Sequence, residues 1–321
     1  MSVKNDTRTP RIGVALGSGG ARGAAHTGVL KVLEREGIPI CVVAGSSIGA
    51  LVGATYAAGV PLERVEREWL ETDAAKLFRS FLPTFPRAGL SSGNELRKYL
   101  AGLLGERRIE DLPMPYAALA CDIDTGEIVV LTEGSLPDAI RASTAIPGIY
   151  NPVRLGDRIL VDGGLVEPLP IRACRDLGAD FIIAVDITPR PVPTTQRGRN
   201  VWNRIGDQLH EGLTHQAWIP SSLTELLESL FRERTDPPLP GLYSVLNQSI
   251  AILQQEILRQ KLILHPPDVL IRPDVRMSVM GYLQASEGIE AGARAAEAAL
   301  PELRARLNRH RATPSHGTSD R

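Results

Sequence analysis

Short, continuous apolar runs alternate along this chain with longer stretches whose apolar residues fall three and four apart. Residues 12–16 and 40–44 are runs of the first kind, and 24–36 and 48–58 are stretches of the second. Buried strands alternating with amphipathic helices predict a largely parallel sheet covered by helices on both faces, an α/β fold. Runs at 116–121, 128–131, 159–161, 181–185 and 269–271 extend the same sheet. The helix from Ala24 places Ala25, Val29 and Val32 on one face and stops at Gly37, a residue suited to a left-handed cap. Towards the C-terminus Ile289, Ala293, Ala296, Leu300 and Leu303 repeat at helical spacing, with Pro301 expected to bend or restart the helix.

The rhythm breaks once. From Pro189 to Pro240 a Pro-, Thr- and Arg-rich stretch leads into Trp202, Leu209, Leu213, Trp218, Leu223, Leu226, Leu227 and Phe231. The expected organisation is a core at 11–188, a helical insertion at 189–240, the rest of the same domain at 241–307 and a disordered tail at 308–321. The tryptophans suit a lid or an interfacial patch, and equally core packing or a dimer contact. Mixed charges such as Arg204, Asp207, Glu211, Glu225 and Glu228 argue against a strongly cationic membrane helix. Transient peripheral contact is the most this segment is expected to make.

Composition narrows the function classes. The chain has 321 residues, 43% of them hydrophobic, enough for a substantial core. A formal net charge of −1 provides no field that draws it to nucleic acid or to an anionic membrane. No apolar run approaches the roughly 20 residues needed to span a bilayer, and the start does not resemble a signal peptide. Cys41, Cys121 and Cys174 are scattered among apolar residues and read as buried thiols. A cytoplasmic protein, peripheral to the membrane at most, is expected. Neither a metal site nor a cofactor is, because no close His/Cys spacing or acidic calcium loop occurs.

Three patterns carry chemistry. Gly45, Ser46, Ser47, Ile48 and Gly49 form G-x-S-x-G between a strand and a small-residue helix, the signature of a nucleophile elbow with Ser47 at its centre. Alone it also fits a tight turn with a capping serine. Upstream, Gly17, Ser18, Gly19, Gly20, Ala21, Arg22 and Gly23 join the first strand to the first helix, where converging backbone N–H groups can hold an anion. In an esterase these donors, with that of Ile48, form an oxyanion hole. A dinucleotide fingerprint fails here, because Arg22 stands where the third glycine is needed and no acidic ribose ligand ends the second strand. Arg22 itself could orient the loop, attract an anionic head group, or pair with a surface acid. Asp162, Gly163 and Gly164 follow the 159–161 strand, where the glycines let the carboxylate lie against backbone; taken alone they read as a hairpin turn.

Together these pieces resemble the patatin-like phospholipases, in the bacterial branch related to neuropathy target esterase, over roughly Arg11 to Asp186. The loop Ser18 to Gly23 continuing to Leu30, the elbow Gly45 to Gly49, the stretch Arg141 to Gly148, and Asp162 to Gly164 as the family's D-G-G/A motif occur in the expected order. Asp122 and the turn at Thr125, Gly126 and Glu127 fit the same pattern. Two positions depart: Ser18 stands where the family usually opens with glycine, and Glu167 precedes Pro168 where asparagine is frequent. The first is expected to leave the oxyanion hole intact, the second to alter polarity near the base. The resemblance implies a lipid or lysolipid ester substrate and a dyad of Ser47 and Asp162 working through an acyl-enzyme, without a catalytic histidine. An aspartate serving as base at neutral pH needs a raised pKa, which desolvation beside Ser47 would supply. The rival arrangement is a Ser-Asp-His triad through His265, or a role for His26. A scaffold that keeps the fold without turnover, and an acyltransferase, are the other classes; oligomeric state is not legible.

Overall fold

Ile12–Leu16 (β1) is buried at every position, as befits a strand covered on both faces. The computed structural model describes residues 10–73, 89–190 and 242–312. Beside β1 lie Ile40–Ser46 (β2), Tyr116–Asp122 (β4), Ile128–Leu131 (β5), Val153–Leu155 (β7), Arg158–Asp162 (β8), Phe181–Val185 (β9) and Val269–Ile271 (β10). Their order is β10-β9-β1-β2-β4-β8-β7, with β5 also paired to β4. The first five strands run parallel; β5, β8 and β7 are joined through antiparallel pairs. Gly89–Ser91 (β3) and Gly148–Tyr150 (β6) make a separate parallel pair. The fold is the mostly parallel α/β sheet that the hydrophobic pattern implies.

Helices cover both faces. Ala24–Arg35 (α1), Ile48–Ala57 (α2), Leu62–Leu70 (α3), Asn94–Leu104 (α4), Leu136–Ser143 (α5) and Ala285–Ala312 (α8) send side chains into one core with Ile12, Val14, Leu16, Ile183 and Val185. On the other face Ile171–Asp176 (α6) and Leu258 of Leu242–Leu264 (α7) pack with Ala15, Val42, Ala44, Ile182 and Ala184. The odd and even positions of β1 thus serve opposite cores.

The chain divides into two compact units, one of residues 1–188 and 257–321, the other Pro189–Glu256. The second contributes, among the described residues, Pro189, Arg190 and the first part of α7, where Gln255 Nε2 donates to the Pro189 carbonyl. The tryptophan-bearing part of the expected insertion lies outside the described residues. Two local expectations are corrected. Pro301 does not restart the helix, because α8 runs unbroken from Ala285 to Ala312, past the boundary expected at 308, with Leu303 and Leu307 buried beyond the proline. Cys121 and Cys174 are buried free thiols, whereas Cys41 is half-buried and donates to the Ile12 carbonyl. No described helix is long and apolar enough to cross a membrane.

Candidate active site

Two strands that face each other end to end create the site. β4 is bordered by β5 at Ala118–Cys121, by β2 at Tyr116–Leu119 and by β8 at Ala120–Asp122. A strand has two edges, so β5 takes one while β2 and β8 share the other. β2 runs parallel to β4 and ends with Ser46 opposite Leu119; β8 runs against it and ends with Asp162 opposite Ala120. The carboxyl ends of β2 and β8 therefore converge on neighbouring residues of one edge, bringing Ser47 to Asp162.

At the end of β2 the chain turns sharply into α2. Ser47 has φ 56° and ψ −123°, and it is the one non-glycine residue with positive φ among the described residues. Such backbone costs about 1–3 kcal/mol and persists only where its surroundings hold it. The flanking glycines are required by crowding. A Cβ at Gly45 would lie 2.2 Å from the Gly49 carbonyl oxygen, and one at Gly49 would lie 2.2 Å from that of Leu16. Ser47 N–H donates to Ser143 Oγ (3.0 Å), and Ser143 Oγ–H donates to the Leu119 carbonyl (2.5 Å).

Ser47 Oγ donates to Asp162 Oδ2 at 2.5 Å, and both residues are 5% exposed. Asp162 Oδ1 accepts from Gly164 N–H (2.7 Å), while its own N–H donates to the Ala145 carbonyl (3.0 Å). Gly163 lets this turn press on β4: a Cβ there would sit 2.1 Å from the Leu119 oxygen. Burial drives the Asp162 carboxyl up to about 6, against the opposing hydrogen bonds from Ser47 and Gly164.

The glycine-rich loop makes a 3-10 turn at Gly20–Gly23. Its donors are not equivalent. Ala21 N–H is taken by the Val279 carbonyl (2.7 Å) and Arg22 N–H leans on the Gly19 carbonyl (3.4 Å), which corrects the expectation that both face an anion. The N–H groups of Gly19, Gly20 and Ile48 donate to no other group among the described residues. Gly23 instead makes room for the elbow, since a Cβ there would lie 2.2 Å from Ile48 Cγ1. Buried Arg22 turns backwards, with Nε donating to the Met277 carbonyl (2.9 Å).

Neither histidine belongs to the site. His26 is fully buried; its Nε2–H donates to the Gly17 carbonyl (2.8 Å), and burial lowers its pKa to about 4. His265 follows α7, and among the described residues neither ring hydrogen-bonds to Ser47 or Asp162. Glu167 is buried too, but its carboxylate meets Lys261 Nζ at 2.7 Å on α7. The ion pair opposes the upward pull of burial on that carboxyl. No group of side chains able to hold a metal occurs among the described residues. Ser143 was legible only as part of the 141–148 stretch; nothing in the one-dimensional pattern marks it as the partner of Ser47.

A mostly parallel α/β sheet with a serine on a strained strand-to-helix turn, facing a buried aspartate, defines a nucleophile-elbow class of protein. The patatin-like phospholipase family model matches residues 14–175, half of the chain, and the chain belongs to that family. An uncharacterised NTE family protein of Mycobacterium tuberculosis is 40% identical over 182 residues, covering 56% of this chain and 49% of its own length. Neuropathy target esterase sws of Drosophila melanogaster is 40% identical over 182 residues, covering 55% of this chain and 13% of its own. The chain thus spans about half, or less, of the curated relatives it matches. Among solved structures, VipD from Legionella pneumophila aligns over 91% of this chain and 67% of its own at 14% identity and a TM-score of 0.44.

Proposed function

We propose that this protein hydrolyses carboxylic esters of lipids, with Ser47 as nucleophile and Asp162 as general base and acid. The observation that carries the reading is the buried 2.5 Å hydrogen bond from Ser47 Oγ to Asp162 Oδ2, with no histidine among the described residues bonded to either. Ser47 Oγ attacks the ester carbonyl while its proton passes to Asp162. The oxyanion collects N–H groups from Gly19, Gly20 and Ile48, each such donor contributing about 100-fold to 1,000-fold in turnover. Collapse expels the alcohol, which takes the proton from Asp162, and leaves acyl-Ser47. Water then gives its proton to Asp162 and attacks the acyl carbon, and as that tetrahedral intermediate collapses Asp162 returns the proton to the departing Ser47 Oγ, releasing the fatty acid and restoring the dyad. A carboxyl held near 6 is a far better base at neutrality than one near 3.8. The phospholipase in the family's title and the esterase in the fly relative's name support the same class of substrate.

Native protein, Ser47→Ala and Asp162→Asn are to be compared on a short-chain p-nitrophenyl ester and on a lysophospholipid. The expected outcome is turnover by the native protein alone, with both variants folded. A native protein no faster than its variants replaces the enzyme reading with a scaffold. Contact with lipid is peripheral in this proposal; co-sedimentation with neutral and anionic vesicles tests it, and absence from both pellets removes it.

A further inference from the structure

One short segment touches both members of the dyad. α5 ends at Ser143, and the chain continues through Thr144 and Ala145 before Pro147. Ser143 Oγ accepts the Ser47 N–H, and the Ala145 carbonyl accepts the Asp162 N–H, both at 3.0 Å. The segment is itself fixed: Thr144 N–H and Oγ1 donate to the Ile140 carbonyl, Ala145 N–H donates to that of Ala142, and Ser143 and Ala142 are fully buried. The single hydroxyl proton of Ser143 goes to the Leu119 carbonyl, so a lone pair necessarily faces Ser47 N–H. That Leu119 oxygen is also the one against which Gly163 packs.

We infer that residues 143–145 form a strap that sets the separation of Ser47 and Asp162, with Ser143 as its positioning side chain. The inference rests on the dyad reading above. Ser143 touches neither hydroxyl nor carboxylate of the dyad, so it acts through the elbow backbone. Without it, the N–H of a residue already held at positive φ loses its acceptor inside the protein, and the elbow relaxes away from Asp162. A shift of about 1 Å at a reacting atom can cost about 100-fold in rate. Because the hydrogen bond from Ser47 holds the Asp162 carboxyl down, its loss also moves that carboxyl further up.

The test uses the full chain and an ester substrate, with Ser143→Ala, Ser143→Cys, Ser47→Ala and, as a stability-matched control in the same helix, Ile140→Val. Expected for Ser143→Ala are a kcat lower by about 10-fold to 100-fold, KM within about two-fold, and an acid limb of the pH-rate profile displaced upward. Ser143→Cys, which keeps a weak donor and acceptor, falls between alanine and native and stands in if alanine does not fold. Ile140→Val keeps native kcat and acid limb. Native kcat and acid limb in folded Ser143→Ala or Ser143→Cys overturn the strap, as does an equal kcat loss in Ile140→Val at equal melting temperature. Ser47→Ala separates the two ideas: if it is inert while Ser143→Ala is fully active, the strap alone fails, and if it turns over like native, the dyad reading fails first.

Discussion

At neutral pH the carboxylate of Asp162 is ionised in a place that disfavours charge, and the sign of that effect is testable. Its pKa stands at about 6 in the fold against 3.8 for the free side chain. The native state therefore binds this proton more tightly than the unfolded state, and the buried charge lowers stability above pH 6 by roughly 3 kcal/mol. As pH falls through 6 towards 3.8 the group protonates in the fold first and that loss is recovered. Asp162→Asn, which carries no charge, is expected to exceed native stability at pH 8 by up to about 3 kcal/mol, with the gap closing below pH 6. Urea titrations at pH 8 and pH 5 measure it, and a gap independent of pH contradicts it. In the proposed mechanism the same ionisation puts the expected acid limb of ester hydrolysis near pH 6. His26 has the opposite sign: at about 4 in the fold against 6.5 free, it contributes fully above pH 6.5, and that contribution is lost as pH falls towards 4.

Single elements are joined to the site by contacts whose value depends on burial. The Glu167 to Lys261 ion pair ties α7 to the turn that follows Asp162, where Glu167 N–H donates to the Gly163 carbonyl and the Pro168 carbonyl accepts Ser18 N–H. Glu167 is buried but Lys261 is 27% exposed, so removing the lysine strands the glutamate charge at a cost below the about 3–5 kcal/mol of a fully buried pair, and removing both charges is cheaper still. Lys261→Met should therefore lower the melting temperature measurably, and Glu167→Gln combined with Lys261→Met should restore most of it. Additive losses in the double variant would show that the pair is only a surface contact. The departure at Glu167 is thus answered by a partner from a distant helix.

At the scale of the molecule, α1 and α8, the first and last helices among the described residues, cross in close backbone contact. A Cβ at Gly28 on α1 would lie 2.0 Å from the Ile289 carbonyl oxygen, and one at Gly292 on α8 would lie 2.0 Å from that of Ala25. These are backbone atoms that cannot swing aside, so Gly292→Val should force α1 and α8 apart and lower thermal stability by several °C or abolish folding; an unchanged melt would refute that close crossing. The sequence by itself determined the strands, through continuous apolar runs that only a doubly covered sheet accommodates. It also determined the elbow, because Gly45 and Gly49 flank Ser47 where backbone crowds, and it singled out Asp162 through the family pattern. Tertiary structure alone decided the rest. Periodicity records whether a side chain is buried and says nothing of which distant group it meets. So the meeting of β2 and β8 on one edge of β4, the capture of Ala21 N–H by Val279, the pairing of Glu167 with Lys261, and the grip of Ser143 on Ser47 all depend on contacts between residues far apart in the chain. The helix through Pro301 has the same cause: burial of Leu303 and Leu307 outweighs the one helical hydrogen bond that proline removes.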